Sequence, residues 1–255
     1  IAVLFLSRGW HSSRKQKVAR MVPKNSQLDQ GKVGLVFLAV AVSGFCGMAY
    51  EIVWTRLLTP IVGTYIYAFA FILALVLAGL AIGGFLYQRF FSETFRVKLT
   101  LGLIEIGIGL AAFLSLIILS SFFPGSVLIM EILVILPAAI LTGMSFPIAA
   151  NLCKSDRESG SFTGKLYTAN TAGALLGPIA AAFVFIPKFG SGPSILVIVG
   201  LNILVGLLLL LTAGGEVKKI IKGGAFVLTF GGLVIILGLN YFKPNFFYPK
   251  SLKHQ

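Results

Sequence analysis

Long apolar runs separated by short polar connections dominate the hydropathy pattern of this chain. A transmembrane helix needs about 20 apolar residues to cross the hydrocarbon core of a bilayer. By that measure the chain contains seven candidate spans, at residues 33–57, 64–87, 99–121, 126–150, 166–187, 193–213 and 223–241. The runs lack apolar and polar alternation, and open strands cannot satisfy their backbone hydrogen bonds in lipid. The pattern therefore predicts an all-α, polytopic transmembrane helix bundle of about seven spans.

The basic residues between the spans predict the orientation of the chain. The segment before the first span carries seven Lys and Arg residues, and the second, fourth and sixth connections carry three each. The first and third connections carry none, and the fifth carries only Lys188. Because cytoplasmic connections are enriched in Lys and Arg, we expect a cytoplasmic N-terminus. The expected location is a prokaryotic inner (plasma) membrane, which the chain crosses several times.

The same pattern divides the chain into three parts. Residues 1–32 form a basic cytoplasmic N-terminal segment, residues 33–241 form the transmembrane domain, and residues 242–255 form a C-terminal tail. Met21 is a plausible second start, so residues 1–20 are interpreted as an upstream extension.

The overall composition excludes a soluble protein and makes nucleic acid an unsuitable partner. Hydrophobic side chains make up 57% of the residues, charged ones 11%, and the mean hydropathy is +0.97. The net charge of +13 comes from basic residues beside the apolar runs, which favours contact with the lipid bilayer. Cys46 and Cys153 are far apart, so their spacing indicates neither a disulfide framework nor a metal site. No cofactor and no catalytic residue is predicted.

Small residues at helical spacing predict where helices pack closely. Such spacing lets two backbones approach each other in a membrane. Prolines within two of the runs predict kinks. The small-residue faces are Ser43, Gly47 and Glu51; Gly79 and Gly83; Gly102 and Gly109 with Glu105; and Ala169, Gly173 and Gly177, while the prolines are Pro137, Pro147 and Pro178.

Four ionisable residues, Glu51, Arg56, Glu105 and Glu131, fall within the predicted spans. A charge at mid-bilayer costs a few kcal/mol, so each is a candidate for a functional site with a polar partner. Glu51 and Arg56 are five residues apart, which separates them by about 140° on a regular helix and prevents direct pairing.

Membrane depth suggests Glu131 as the partner of Arg56, because both belong to the outer region of the predicted topology. The alternative is that both side chains extend to the outer interface. Glu51 is expected to point into the bundle, either as a carboxyl that takes up a proton or as a structural hydrogen-bonding group. Glu105 is placed toward the cytoplasmic side.

Four uncharged polar or aromatic residues complete the candidate site. Tyr50 and Trp54 lie on one helix face, where they form either an aromatic wall or part of the interfacial belt, the belt being favoured for Trp54. Tyr167 and Asn170 lie near the cytoplasmic end of their span, where Asn170 either links helices or contacts a solute.

Four motifs give the chain a resemblance to a known family: "SGFCGMAYEIVWTRLL", "GTYIYAFAFILALVLAGLAIGG", "LTGMSFPIAANLC" and "GKLYTANTAGALLGPIAAAFVFIPKFG". Over residues 33–213 the chain resembles the transmembrane part of membrane-bound spermidine synthase-like proteins, which join a major-facilitator-like domain to an aminopropyltransferase domain. The resemblance places eight residues at family motif positions, namely Tyr50, Glu51, Trp54, Arg56, Tyr167, Asn170, Thr171 and Gly173.

The chain departs from that family where the enzyme chemistry would lie. The family's soluble domain carries a glycine-rich nucleotide loop and acidic residues that hold decarboxylated S-adenosylmethionine and the amine. Here every Gly-Gly pair lies in or beside an apolar run, and the chain has only eight acidic residues. The facilitator-like stretch "GGFLYQRF" also has Tyr87 and Gln88 where facilitators place an acidic residue. By itself the chain is therefore not expected to transfer aminopropyl groups.

Three functions remain open. The first is a module that binds or transports a small solute, such as a polyamine or a related cation, through a polar intramembrane site. The second is the membrane anchor or regulatory part of an aminopropyltransferase, with the soluble catalytic domain or subunit as partner. The third is a structural membrane scaffold. The residues assigned to the solute site are Tyr50, Glu51, Trp54, Arg56, Glu105, Glu131, Tyr167 and Asn170.

Overall fold

The computed structural model describes residues 30–62, 65–91, 96–120, 127–151 and 159–213. Within these ranges the chain is helical and has no β-strand. Among the described residues, six helices are long and apolar enough to cross a membrane. We number them α1 (Gln30–Val62), α2 (Tyr65–Leu86), α3 (Val97–Ser120), α4 (Val127–Ala150), α5 (Ser159–Ala180) and α6 (Ser191–Thr212).

The six helices correspond to the first six spans expected from the sequence, so the helix-bundle prediction is confirmed. The seventh candidate span at 223–241, the basic N-terminal residues 1–29 and the tail 242–255 lie outside the described residues. The six described spans make this a multi-pass membrane protein.

Glycines determine how the helices pair. In α5, a Cβ added to Gly173 would collide with the backbone carbonyl of Ala41 in α1. In α2, a Cβ at Gly79 would collide with Ala139 of α4. Without side chains at these positions the backbones approach closely, as small residues allow in membrane bundles. The packing faces predicted on α2 and α5 are therefore confirmed.

Glycines also allow close backbone contact between α3 and α6. A Cβ on Gly102 would lie 2.8 Å from the carbonyl oxygen of Gly206, and one on Gly109 would lie 2.9 Å from Ile203. The glycine face of α3 therefore packs on α6, and Glu105 lies on that face. α4 and α6 pack beside α3 and α1 respectively, which closes the bundle.

Proline affects two helices differently. α4 is a continuous helix with Pro137 and Pro147 inside it. In α5, Pro178 is followed by a π-helical segment, Ala181–Phe185, and a short α-helical turn, Ile186–Phe189. Gly190 then adopts φ 84° and makes the sharp turn into α6.

Large apolar side chains on the outside of the bundle show which surface faces lipid. Phe183 is 77% exposed and Leu175 is 66% exposed, and similar residues cover the outer faces of α2 and α3. Contiguous apolar exposure on this scale is unfavourable in water, but it matches hydrocarbon. Polar side chains such as Ser43, Glu105 and Asn202 are instead buried in the interior.

Candidate functional site

A cavity of about 420 Å³ lies between α1, α2, α4 and α5. Its walls are mainly small or apolar, and hydroxyl and amide side chains from three helices interrupt them. The polar or aromatic lining residues are Ser43, Tyr50, Trp54, Thr142, Ser145, Phe146 and Asn170. No lining residue carries a formal charge.

One face of α1 supplies the aromatic wall of this cavity. Ser43, Tyr50 and Trp54 recur at spacings of seven and four residues, which places them on the same side of a helix. The rings of Tyr50 and Trp54 are stacked, with centroids 5.3 Å apart and planes inclined by 18°. The aromatic wall of the cavity therefore belongs to "SGFCGMAYEIVWTRLL", the first of the motifs that carry the family resemblance.

The structure corrects the assignment of Trp54 to an interfacial belt. Trp54 is only 3% exposed, and its indole Nε1 donates a hydrogen bond to Ser115 Oγ of α3 at 3.1 Å. Ser115 in turn donates to the carbonyl of Ala112. A buried indole N–H needs an acceptor, and α3 provides one, so Trp54 points into the bundle.

A hydroxyl pair joins α1 to α4 at the cavity wall. The Oγ atoms of Ser43 and Ser145 are 3.1 Å apart and share a hydrogen bond. Ser145 also donates to the carbonyl of Thr142 at 3.0 Å. These contacts hold the polar side of the cavity in place.

A second polar network lies directly behind the aromatic wall. Tyr50 Oη donates to Asn202 Oδ1 of α6 at 3.0 Å, and Asn202 Nδ2 donates to Glu105 Oε2 of α3 at 2.7 Å. Tyr50, Asn202 and Glu105 are all buried. The carboxyl of Glu105 is thus one side chain away from the cavity.

The proposed ion pair between Arg56 and Glu131 is not formed. Arg56 is exposed, whereas Glu131 is only 3% exposed, and neither makes an ion pair with any residue that the structure describes. Glu131 Oε1 also lacks a hydrogen-bond partner within those ranges. Equal membrane depth is not enough for pairing, because Arg56 points away from the bundle while Glu131 points into it.

The remaining predicted residues are divided between the interior and the surface. Glu51 is 5% exposed, so it does face the bundle, but it does not line the cavity. Asn170 lines the cavity, and its backbone contacts α1 at Gly44, where an added Cβ would collide with its carbonyl. Tyr167 is 62% exposed and meets Phe146 edge-on at 6.1 Å, outside the cavity.

Sequence reasoning missed Asn202, the residue that links Glu105 to Tyr50. The available signal was its position as the one amide side chain in the otherwise apolar α6. It also missed Ser145 and Ser115, because a serine in a membrane helix commonly bonds to its own backbone. The described ranges contain no group of three or more His, Cys, Asp or Glu side chains arranged to hold a metal.

Comparison with known proteins shows that this chain is distantly similar to part of an aminopropyltransferase. The chain is 24% identical over 159 residues to the polyamine aminopropyltransferase of Leptospira interrogans serogroup Icterohaemorrhagiae serovar copenhageni (strain Fiocruz L1-130). The alignment covers 61% of this chain and 31% of that protein, so the chain matches less than a third of its relative. No protein-family model and no solved structure matches the chain.

Proposed function

We propose that this bundle binds a small amine-bearing solute in its cavity and carries it across the membrane. The cavity is the observation that supports this best. Ligand cavities commonly have volumes of about 300–1,000 Å³ and mainly apolar walls with a few placed polar groups, and this one fits that description. A scaffold would gain stability by closing such a space, since a void loses packing contacts along its walls.

The lining favours a cationic amine with a short hydrocarbon chain. An ammonium group over an aromatic face gains about 1–2 kcal/mol when water is excluded, and the stacked rings of Tyr50 and Trp54 provide such a face. Gly84 of α2 also lines the cavity and has no atom within 4 Å of an added Cβ, which leaves space for methylene groups on a different helix from the aromatic pair. The relative from Leptospira is named for polyamine chemistry, which agrees with this class of solute.

Of the residues expected at the solute site, three contact the solute directly in this proposal, namely Tyr50, Trp54 and Asn170. Glu105 acts from behind the wall, while Glu51, Arg56, Glu131 and Tyr167 do not contact the solute. The setting remains a prokaryotic inner membrane with a cytoplasmic N-terminus, as the basic connections predict.

A cavity-filling substitution tests the proposal. Gly84 lines the cavity, and a Cβ added there meets no atom within 4 Å, so Gly84→Leu fills space without displacing backbone. Gly34 of α1 is exposed, is absent from the lining and has the same free space around an added Cβ, so Gly34→Leu is the matched control. The readout is saturable binding and uptake of radiolabelled spermidine and putrescine by the purified chain in proteoliposomes.

We expect G84L to weaken spermidine binding by about 5- to 140-fold, because overpacking of the occupied site costs roughly 1–3 kcal/mol. G34L should match the unmodified protein. Saturable binding that G84L leaves intact would remove the cavity from the function. An unmodified protein that neither binds nor transports either amine would favour a scaffold.

A second function has its own support, namely the alignment to part of a polyamine aminopropyltransferase. In this reading the bundle anchors such an enzyme and controls access to its substrate. Sequencing the gene beyond codon 255 tests it. An eighth apolar run followed by a glycine-rich nucleotide loop would support the anchor, and an immediate stop codon would count against it.

A further inference from the structure

Glu105 is completely buried at the centre of the bundle. One of its oxygens, Oε2, accepts a hydrogen bond from the neutral amide of Asn202, while Oε1 has no hydrogen-bond partner among the described residues. An ionised carboxylate has about four acceptor positions to fill and carries a charge that burial penalises, whereas a protonated carboxyl is neutral. The surroundings of Glu105 therefore suit the protonated form better than the ionised one.

The charged and titratable groups around Glu105 give it no counter-ion. On α1, its titratable neighbours are Cys46 and Tyr50, and neither is a cation. The other buried acids, Glu51 of α1 and Glu131 of α4, are not cations either. α6 contains no titratable residue.

The other charges on these helices are basic and lie elsewhere. Arg56 is exposed near the end of α1, and Lys98 lies seven residues before Glu105, roughly 10 Å along α3. Lys32 lies near the start of α1. Among the residues that the structure describes, none forms an ion pair with Glu105.

An unpaired carboxylate inside a membrane bundle costs several kcal/mol, so Glu105 needs either a proton or a cation. A metal cation does not fit this position. Hard cations take about six or more oxygen ligands, whereas Oε2 already faces an amide N–H and the Ser43 hydroxyl is shared with Ser145. A proton needs only Oε1.

Glu105 is connected to the cavity by a short chain of hydrogen bonds. The chain runs through Asn202 to Tyr50, whose ring forms part of the aromatic wall. A change of charge on Glu105 is therefore transmitted to the place where a solute would bind, across one layer of side chains.

We infer that Glu105 is the proton-binding site of this bundle and that its proton exchanges against a cationic amine entering the cavity. The inference rests on the proposed function. When the amine binds, the O–H bond at Glu105 breaks, the proton leaves through the cavity to water, and the carboxylate balances the ammonium charge. Total charge is conserved in this exchange. It also explains how a cavity whose lining has no formal charge takes a cation.

Proton release is the first measurement. Calorimetric titration of spermidine into the purified chain, in buffers of different ionisation enthalpy, should show release of about one proton per bound amine, and affinity should rise with pH. Glu105→Gln should bind more weakly and release none. Glu131→Gln is the control, because Glu131 is also buried but is not part of the hydrogen bonds that join Tyr50, Asn202 and Glu105, and it should behave like the unmodified protein.

Infrared spectroscopy provides a test that does not depend on the solute. The C=O stretching band of a protonated buried carboxyl should be present without solute and absent in E105Q. If E105Q fails to fold, Asn202→Leu keeps the carboxyl but removes its donor, and the same band should shift.

The outcomes separate the two proposals. Spermidine binding without proton release, together with a band that E105Q leaves unchanged, overturns the inference while the proposed function stands. A protein that binds no amine refutes the proposed function and with it the exchange. In that case a carboxyl band that E105Q removes still establishes Glu105 as the proton site, and a band unaffected by E105Q refutes it.

Discussion

Gly102→Ala tests whether close packing of α3 on α6 positions the Glu105 network. The new Cβ would lie 2.8 Å from the carbonyl oxygen of Gly206 and 3.1 Å from Leu210, whereas ordinary contacts begin near 3.4 Å. Relief of the backbone contact requires the two helices to separate by about 0.6 Å, because a carbonyl cannot rotate away as a side chain can. Gly102 lies one turn before Glu105, so the separation would also stretch the 2.7 Å bond from Asn202 to Glu105.

The expected cost follows from these two effects. Overpacking of a well-packed site costs about 1–3 kcal/mol, and weakening an interhelical hydrogen bond in a membrane adds about 0.6 kcal/mol. We therefore expect G102A to lower the free energy of unfolding by about 2 kcal/mol. Reversible unfolding in mixed detergent micelles, followed by far-ultraviolet circular dichroism, measures this quantity.

Gly107→Ala is the matched control on the same helix. Its new Cβ would lie 3.2 Å from a terminal methyl group of Leu141, which can move aside at little cost. G107A should change the unfolding free energy by less than about 1 kcal/mol. Equal stability of G102A and G107A would refute the argument that backbone contact at Gly206 sets the distance between α3 and α6.

Two further predictions concern the polar contacts. Tyr50→Phe removes the hydrogen-bond donor to Asn202 and should lower the unfolding free energy by about 1 kcal/mol. In an Asn202→Leu background the same substitution should lower the unfolding free energy by less. An equal loss in both backgrounds would contradict the hydrogen bond. Arg56→Gln should change stability by less than about 0.5 kcal/mol, and a double-mutant cycle with Glu131→Gln should show no coupling, since Arg56 is exposed and unpaired with Glu131. Coupling of 1 kcal/mol or more in detergent unfolding would restore the ion pair.

The proposed function rests on the site more than on the overall resemblance of the chain to known proteins. The alignment covers under a third of an aminopropyltransferase, and a fold-level likeness alone does not assign chemistry. The cavity, the aromatic stack and the buried carboxyl supply specific groups that experiments can remove one at a time.

The sequence by itself determined the six described helices and the glycine faces by which α2, α3 and α5 pack. Apolar length fixes a membrane helix because the bilayer accepts no unsatisfied backbone, and small residues at four-residue spacing mark close contacts such as Gly173 on Ala41. It also drew attention to Glu105, because a carboxyl is costly in hydrocarbon wherever the helix points.

Only the tertiary structure decided which polar groups meet. Trp54 finds Ser115 on α3, and Glu105 finds Asn202 on α6, across sequence separations of 61 and 97 residues. Periodicity gives the face on which a side chain lies, but the rotation and crossing of whole helices decide what that face touches. For the same reason Arg56 and Glu131 share a depth without sharing a contact, since depth is a property of one helix and pairing is a property of two.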